Sequence, residues 1–342
     1  MAAHDAEQYV GAALASLERQ TVNDLEVLVV DDGSADGTSG EVLRAMRRDG
    51  RIRLLRMDRN RGQPAALNAG MREARGRYLA VLDADDEATP DRLARQLAAF
   101  DRDPDLILVG GAVSTYCDRF QQEGPTWRYA PDDASIRART LFKSEFISGA
   151  MTFDRGRLAE HRLRFDERLR VGADWAMSVL AMRVGRVANL PAAVMRYRIH
   201  PGQLTAGMTD DLASDGARIR ARLLRWLGLR PTEEEMRIHL AVSPCNYWVL
   251  GSHPYFRARR GSILEDALRW FERLTRASIR SGRVPPDALR LLLEEIAAAI
   301  ADCLRRPRRR RGEEVARCPV SHPLACIGND PCRAPRDART EV

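Results

Sequence analysis

Short apolar runs alternate with segments of helical spacing over residues 1–113, and this alternation constrains the fold more than any other feature of the chain. The apolar runs are "LEVLVV", "RIRLLRM", "RYLAVL" and "DLILVGGAV". Continuous runs of this kind are typical of strands that are buried on both faces. Strands that are joined in turn by helices form a parallel sheet with helices on both sides. We therefore predict an α/β fold with a mostly parallel, Rossmann-like sheet.

Acidic residues follow two of these predicted strands. Asp31 and Asp32 stand in "VLVVDDGSADGT", and Asp83 and Asp85 stand in "VLDADDE". Because open α/β sheets bind ligands beyond the carboxyl ends of their strands, we expect the two acidic groups to meet at one edge. Carboxylate oxygens are preferred ligands of Mg²⁺ and Mn²⁺, which makes this edge a candidate cation site. The alternative is that these side chains face solvent and stabilise the following turn.

The pattern changes after Val113. Residues 114–205 combine irregular chain, short strands and helices, whereas residues 206–304 are predicted to form only helices. Two of those helices carry apolar stripes, which indicates packing into a core or a homodimer contact. Residues 305–342 begin with the arginine block "RRPRRRR", which is typical of a disordered tail. Such a block could also contact an anionic membrane surface.

Cysteine usage and charge bound the cellular context. Cys117, Cys245 and Cys303 are dispersed, which does not indicate a disulfide scaffold and favours a reducing, cytoplasmic location. The tail holds four further side chains that could bind zinc: Cys318, His322, Cys326 and Cys332. No C-x2-C pair is present, and the alternative is that these thiols are unpaired. The net charge of +7 includes the arginine block, and without aromatic platforms we expect no nucleic-acid partner.

Three segments occur in a fixed order, each after a predicted strand: "VLVVDDGSADGT", "NRGQPAALNAG" and "VLDADDE". With these segments the chain resembles the family 2 nucleotide-sugar-dependent glycosyltransferases, which have the GT-A fold. Further along, "FDERLRVGADWAMSVLAMRVG" resembles the acceptor-side segment of that family, and "YRIHPGQLT" resembles the segment that closes its catalytic domain. The resemblance covers roughly residues 2–205, and the order of the motifs makes it specific.

The resemblance implies an inverting transfer of a sugar from a nucleotide-diphosphate sugar, expected to be a UDP-sugar, to an acceptor hydroxyl. Mg²⁺ or Mn²⁺ would hold the departing diphosphate. Residues 1–113 would form the nucleotide-sugar half and residues 114–205 the acceptor half, followed by a helical region (206–304) and the tail (305–342). A saccharide or lipid-linked acceptor in cell-surface polysaccharide or glycolipid synthesis is implied, with a cytoplasmic or peripheral location at the inner face of the plasma membrane.

The resemblance also implies roles for single residues on the donor side. Asp31 or Asp32 would contact the base or ribose, and Asp83 would lie near the ribose. Asp85 would be the direct metal ligand, with Asp83 beside it, and His200 would lie close to the metal or diphosphate. Three residues of the second motif would line the donor site or, as an alternative, serve only the backbone conformation: Asn60, Gly62 and Asn68.

On the acceptor side, Asp174 would be the general base, because a carboxylate can accept the acceptor proton as the new bond forms. The alternative for Asp174 is a helix N-cap, and the alternative for His200 is a bond within the turn at Pro201. We expect Trp175 to pack in the core. Arg196 and Arg198 could add positive charge near the diphosphate.

The chain departs from the family pattern in two ways. Ala173 precedes Asp174 where relatives carry a second acidic residue. The first strand of the fold is expected before Ala2, and we predict it to be missing, which suggests a misassigned start or a shortened chain. Two other functions therefore stay open: a nucleotidyltransferase, and a catalytically impaired relative that binds a sugar nucleotide.

Overall fold

The computed structural model describes residues 1–203, 209–243 and 262–305. Its first sheet has three parallel strands in the order β1 (Ala2–Ala3), β2 (Val27–Asp31) and β3 (Ile52–Arg56). Three helices follow these strands in turn and cover the sheet: α1 (Val10–Glu18), α2 (Thr38–Arg48) and α3 (Gln63–Glu73). This half of the chain has the alternating, parallel architecture that the apolar runs predicted.

The first strand is short but present, which corrects the prediction that it is missing. Ala2 pairs with Val30 and Ala3 pairs with Asp31, both in parallel register. The N–H of Val30 donates to the carbonyl of Met1 at 2.8 Å, and the N–H of Asp32 donates to the carbonyl of Ala3 at 2.8 Å. These bonds pair the end of β2 that carries the acidic residues, so the backbone there does not lack partners.

The second sheet has six strands, in the order β4, β8, β6, β9 and β5, with β7 paired to the outer end of β6. Their bounds are Tyr78–Ala80 (β4), Glu87–Ala88 (β5), Leu106–Cys117 (β6), Gln122–Glu123 (β7), Thr152–Asp154 (β8) and Arg186–Ile199 (β9). β6 and β9 run parallel, and every other pair is antiparallel. The apolar runs predicted β4 and β6, but antiparallel partners depend on distant pairing that periodicity does not encode.

Eight further helices complete the described structure. α4 (Arg92–Arg102), α5 (Asp133–Thr140), α6 (Arg155–Glu160) and α7 (Ala173–Met182) belong to the part that contains the second sheet. The predicted helical region forms α8, α9, α10 and α11, which span Thr209–Trp226, Glu233–Ala241, Ile263–Ser281 and Pro286–Arg305. None of the described helices is both long and apolar enough to cross a membrane.

One hydrophobic core joins the second sheet to the helical region. It includes Phe153 from β8, Met177 from α7, Leu223 from α8 and Leu274 from α10, all of them buried. The apolar stripe of α10 therefore packs inside the chain, which is one of the two uses expected for it. Cys117 forms a disulfide, which the dispersed cysteines of the sequence did not indicate. The arginine block after Arg305 and the candidate zinc ligands of the tail lie outside the described residues.

Candidate active site

The first acidic pair lies at the carboxyl end of β2 and is buried. Asp31 accepts hydrogen bonds from the N–H of Ser34 at 2.8 Å and from the hydroxyl of Ser39. Burial alone would raise the pKa of Asp31, but the bonds from these two serines outweigh it and hold the pKa below its usual range. Asp31 is therefore a charged anchor for the turn that leads into α2.

Asp32 holds the loop before α3. Its two carboxylate oxygens accept the N–H groups of Arg61 and Gly62, each at 2.8 Å. Asn60 accepts a second bond from the N–H of Gly62 at 2.9 Å. Gly62 has φ +89° and ψ 154°, a backbone conformation that is essentially restricted to glycine. The motif "NRG" thus fixes the loop that runs beside the acidic edge.

Asn68 lies on α3 and serves the backbone of a distant segment. Its amide nitrogen donates to the carbonyl of Phe165 at 3.0 Å and to Glu167 at 2.9 Å, and its oxygen accepts the N–H of Phe165 at 2.9 Å. The side chain is buried. These bonds are the structural use that the sequence left open for Asn68, and they link α3 to the segment before α7.

The second acidic group follows β4, which belongs to the second sheet and pairs antiparallel with β8, so the two acidic groups do not end strands of one parallel sheet as predicted. Asp83 accepts a bond from the amide nitrogen of Gln63 at 2.8 Å and a longer one from the hydroxyl of Ser148 at 3.4 Å. Burial raises the pKa of Asp83 to about 7, and the negative charges of Asp85 and Asp174 add to this effect. Asp83 therefore lies near enough to both Asp85 and Asp174 to be affected by their charges.

Asp86 bonds to the backbone of β9. One oxygen accepts the N–H of Arg198 at 2.9 Å, and the other is buried with no hydrogen-bond partner among the described residues. Burial, then the charges of Asp85 and Asp83, raise the pKa of Asp86 well above its ordinary value. The edge thus carries more negative charge than the protein neutralises.

His200 reaches the same cluster from the end of β9. Its Nε2 lies 3.1 Å from an oxygen of Asp85, and its ring packs against Tyr9 with centroids 4.4 Å apart. Its Nδ1 is buried without a hydrogen-bond partner among the described residues. The backbone N–H of His200 donates to Gln203 at 3.0 Å, so the turn contact that the sequence left open also exists.

Arg198 anchors the acidic segment from β9. Its side chain donates to the carbonyl of Asp85 at 3.0 Å, to Glu87 at 3.0 Å and to Asp118 at 2.7 Å. Arg196 instead contacts Glu87 at 3.4 Å and lies over the ring of Tyr116. Both arginines add positive charge near the acidic edge, and Arg198 also fixes the backbone of the aspartate segment.

Asp174 is the second residue of α7, where Gly172 and not Asp174 occupies the N-cap position. Burial raises the pKa of Asp174 to about 6, although the N–H groups of Trp175, of Asp174 itself and of Ser148 lower it in part. Trp175 is buried and donates its indole N–H to the carbonyl of Thr140 at 3.2 Å, as expected for a packing residue. Asp174 therefore combines partial burial with a pKa close to neutral.

Two features that the sequence did not reveal shape this site. The 3-10 turn Ser148–Ala150 bonds to both Asp83 and Asp174, and a Cβ at Gly149 would lie 3.2 Å from an oxygen of Asp83. Beneath the cluster, Arg92 is fully buried and donates to the carbonyls of Val81 at 2.7 Å and Met151 at 3.3 Å. Burial lowers the pKa of Arg92 to about 10, so it stays charged at pH 7.

The predicted metal ligands meet only in part. Asp85 and His200 are in contact, whereas Asp83 bonds to Gln63, and no group of three or more acidic, histidine or cysteine side chains is arranged to hold a metal within the described ranges. The carboxylate oxygens and the imidazole nitrogen of these side chains are nevertheless suitable ligands for Mg²⁺ or Mn²⁺. These ions bind few protein carboxylates and take the remaining ligands from substrate phosphates and water. The raised pKa of Asp83 marks the uncompensated charge that a cation would stabilise.

Comparison with known proteins decides the family. The model of glycosyl transferase family 2 matches residues 1–161. The succinoglycan biosynthesis protein ExoO of Rhizobium meliloti is 32% identical over 348 residues, which cover 97% of this chain and 94% of that protein. The chain belongs to glycosyltransferase family 2. A further relative, the putative glycosyltransferase EpsH of Bacillus subtilis, is 26% identical over 86% of this chain and 88% of its own length.

Solved structures confirm the GT-A fold of this glycosyltransferase. Residues 1–349 of TarS from S. aureus, in complex with UDP-GlcNAc, superpose with a TM-score of 0.57 at 18% identity over 89% of this chain and 88% of that one. The mannosyltransferase PcManGT of Pyrobaculum calidifontis, in complex with GDP-Man and Mn²⁺, gives a TM-score of 0.50 at 20% identity, over 89% and 83%. The match to the family model ends before Asp174, so the role of Asp174 as the base stays a prediction.

Proposed function

We propose that this chain is an inverting, metal-dependent glycosyltransferase that moves a sugar from a nucleotide-diphosphate sugar to an acceptor hydroxyl. The observation that carries the proposal is the cluster around Ser148, which bonds to both Asp83 and Asp174, while Asp85 lies 3.1 Å from His200. Burial raises the pKa of Asp174 in this cluster to about 6. Asp85 and His200 suit a cation and a diphosphate, and Asp174 suits proton transfer.

The donor would bind over residues 1–113, beyond the carboxyl ends of β2 and β4. Asp31 and Asp32 already bond to protein groups, so their contribution is to hold the turn and the loop at Gly62 against the nucleotide. Asp85, with Asp83 and His200 beside it, would hold Mg²⁺ or Mn²⁺. That ion would neutralise charge on the departing nucleoside diphosphate. A UDP-sugar is our expectation for the donor, and solved relatives bind UDP-GlcNAc or GDP-Man.

The acceptor would approach over residues 114–205, with Asp174 as the base. Asp174 accepts the proton of the acceptor hydroxyl, and the acceptor oxygen forms a bond to the anomeric carbon. The bond between that carbon and the diphosphate oxygen breaks on the opposite face, which inverts the configuration. A pKa of about 6 leaves Asp174 ionised at pH 7 yet basic enough to take a proton.

The named relatives support a role in polysaccharide synthesis. The relative with 94% of its length matched is a succinoglycan biosynthesis protein. We therefore propose a saccharide or lipid-linked acceptor in cell-surface polysaccharide or glycolipid synthesis, with the reaction on the cytoplasmic side of the membrane. A second candidate, a sugar-nucleotide-binding relative with impaired catalysis, is favoured by Ala173, which leaves one carboxylate at the base position.

Donor turnover separates these two candidates. The wild type is incubated with UDP-glucose, UDP-GlcNAc and GDP-mannose, with water as acceptor, in Mn²⁺ or in EDTA, and release of the nucleoside diphosphate is measured. The proposal predicts release that requires Mn²⁺ and is lost in Asp85→Ala. The matched control is Asp101→Asn, which removes an exposed carboxylate of α4 and should behave as the wild type. Stabilisation by a donor without any release in the wild type would favour the binding protein.

A further inference from the structure

The segment that leads to Asp174 has little regular structure of its own. Between the end of α6 at Glu160 and the start of α7 at Ala173 the chain forms turns, bends and irregular backbone. Secondary structure therefore does not fix the direction in which α7 begins. Because buried backbone N–H groups need acceptors, the contacts that this segment makes with other elements decide its conformation.

A carboxylate from α8 supplies two of those contacts. Asp215 is 4% exposed, and one of its oxygens accepts the N–H of Arg170 at 3.0 Å and the N–H of Val171 at 3.4 Å. The other oxygen accepts a bond from Arg218 at 3.2 Å. Hydrogen bonds to a charged acceptor are stronger than those between neutral groups. Asp215 thus fixes the backbone three and four residues before Asp174.

Three other residues of α8 hold the same segment. Arg222 bonds to Asp166 at 2.9 Å, and the bonds from Arg168 and Arg222 keep the pKa of Asp166 far below its ordinary value. The guanidinium carbon of Arg220 lies 4.7 Å from the centre of the ring of Trp175, which is the residue after Asp174. Ile219 packs so closely on Gly172 that a Cβ there would lie 3.1 Å away.

Arg220 also connects α8 to the end of α5. Its guanidinium donates twice to the carbonyl of Phe142, at 3.0 Å and 2.7 Å. Trp175, which lies under Arg220, donates to the carbonyl of Thr140 in the same stretch. The start of α7 is therefore held by Arg220 of α8 and by the carbonyl of Thr140 at the end of α5.

We propose that α8 is part of the catalytic apparatus, in which Asp215 and Arg220 are positioning residues that set where Asp174 stands relative to Ser148 and Asp83. The inference rests on the proposed function, since it assigns a use to the contacts of the candidate base. It gives the helical region a role in the reaction, although that region lies beyond the match to the family model. Small displacements of a catalytic group cost roughly 100-fold in rate.

The test compares Asp215→Ala and Asp215→Asn in the full chain with Arg225→Ala, which removes an exposed side chain of the same helix. Amide hydrogen exchange is measured over residues 166–175, and the pH profile of nucleoside diphosphate release is measured with the three nucleotide sugars named above. In Asp215→Ala we expect faster exchange of the Arg170 and Val171 amides and a kcat lower by roughly 10- to 100-fold. Stabilisation by UDP with Mn²⁺ should equal that of the wild type, which also shows that the variant is folded.

The pH profile separates positioning from general support of the fold. A loosened segment admits water to Asp174, so the acid limb should move from about 6 towards the ordinary value of 3.8. Asp215→Asn keeps an oxygen that can accept these amides but lacks the negative charge, so it should fall between the wild type and Asp215→Ala. If Asp215→Ala does not fold, the Asn variant carries the test by the same readouts.

Two results would overturn the inference: wild-type exchange over residues 166–175 in both variants, or loss of activity with an acid limb that stays in place. Failure of the proposed function looks different. If Asp174→Asn releases nucleotide at the wild-type rate, the assignment of the base is wrong. The exchange of the Arg170 and Val171 amides then still decides whether Asp215 holds the segment.

Discussion

Replacing Asp83 by asparagine should stabilise the metal-free protein at neutral and alkaline pH. Burial, together with the charges of Asp85 and Asp174, raises the pKa of this carboxyl from 3.8 to about 7. Because the folded-state pKa lies above the unfolded value, the stabilising effect of the protonated group is complete below about pH 4 and is lost as the pH rises towards 7. Asparagine stays neutral throughout, and its oxygen can still accept the bond from Gln63.

The size of the effect follows from the shift. One pKa unit corresponds to about 1.4 kcal/mol, so a change from 3.8 to about 7 sets an upper bound of about 4 kcal/mol. Asp83 keeps partial contact with solvent, which screens its charge. The charges of Asp83 and Asp85 also act on Asp86, so the shift does not belong to Asp83 alone. We expect Asp83→Asn to raise the free energy of unfolding by about 1–2 kcal/mol at pH 8 and by almost nothing at pH 4.

Urea unfolding at pH 4, 6 and 8, in EDTA, measures this directly for the wild type and for Asp83→Asn. The exposed Asp101→Asn serves as the control for the loss of one charge, and we expect no pH-dependent gain from it. The reasoning is refuted if wild-type stability does not fall between pH 4 and pH 8 relative to the variant, or if Asp101→Asn gains as much. The same variant should lose the stabilisation by Mn²⁺ with UDP that the wild type shows.

Three other predictions rest on separate features of the site. Arg92→Met should lower the free energy of unfolding by about 3–5 kcal/mol in urea unfolding, since it leaves buried carbonyls and carboxylates without their charged partner; a loss below about 1 kcal/mol would show that Arg92 is dispensable. Gly62→Ala should lower the free energy of unfolding by about 1–3 kcal/mol because Gly62 has a φ of +89°. Gly40→Ala, in open space within α2, should be neutral or stabilising, and equal effects of the two variants in urea unfolding would contradict this explanation. The rate of nucleotide release should fall below about pH 6 as Asp174 takes up a proton, and a rate that stays constant down to pH 4.5 would exclude it as the base.

The strands and acidic clusters of residues 1–113 were predictable because they are local. The apolar runs before Asp31 and Asp83 are continuous in sequence, and each acidic group follows its run directly. That β2 and β4 belong to different sheets was not predicted, because sheet membership depends on distant pairing. The turn chemistry of Gly62 and the packing of Trp175 could be read in the same way, from residue type and neighbours.

The contacts that tune the site could not be predicted, because they join residues that are far apart in sequence. Nothing near Arg92 indicates that it is buried beneath the aspartates, and the link from Asp215 to Arg170 spans separate parts of the chain. Asn68 reads as a donor-site residue in its motif, yet it bonds to the backbone at Phe165. The strand at Ala2–Ala3 was missed because two residues carry no periodicity, although they suffice to pair the end of β2.

The most direct test of the central claim is the rate of nucleoside diphosphate release by Asp174→Asn, measured with Mn²⁺ and the nucleotide sugar that the wild type turns over. Asparagine keeps the size and polarity of the side chain but cannot accept the acceptor proton. If Asp174 is the base, we expect a kcat at least ~100-fold lower, with donor affinity by thermal shift unchanged. A variant that binds the donor and releases nucleotide at the wild-type rate would contradict the account.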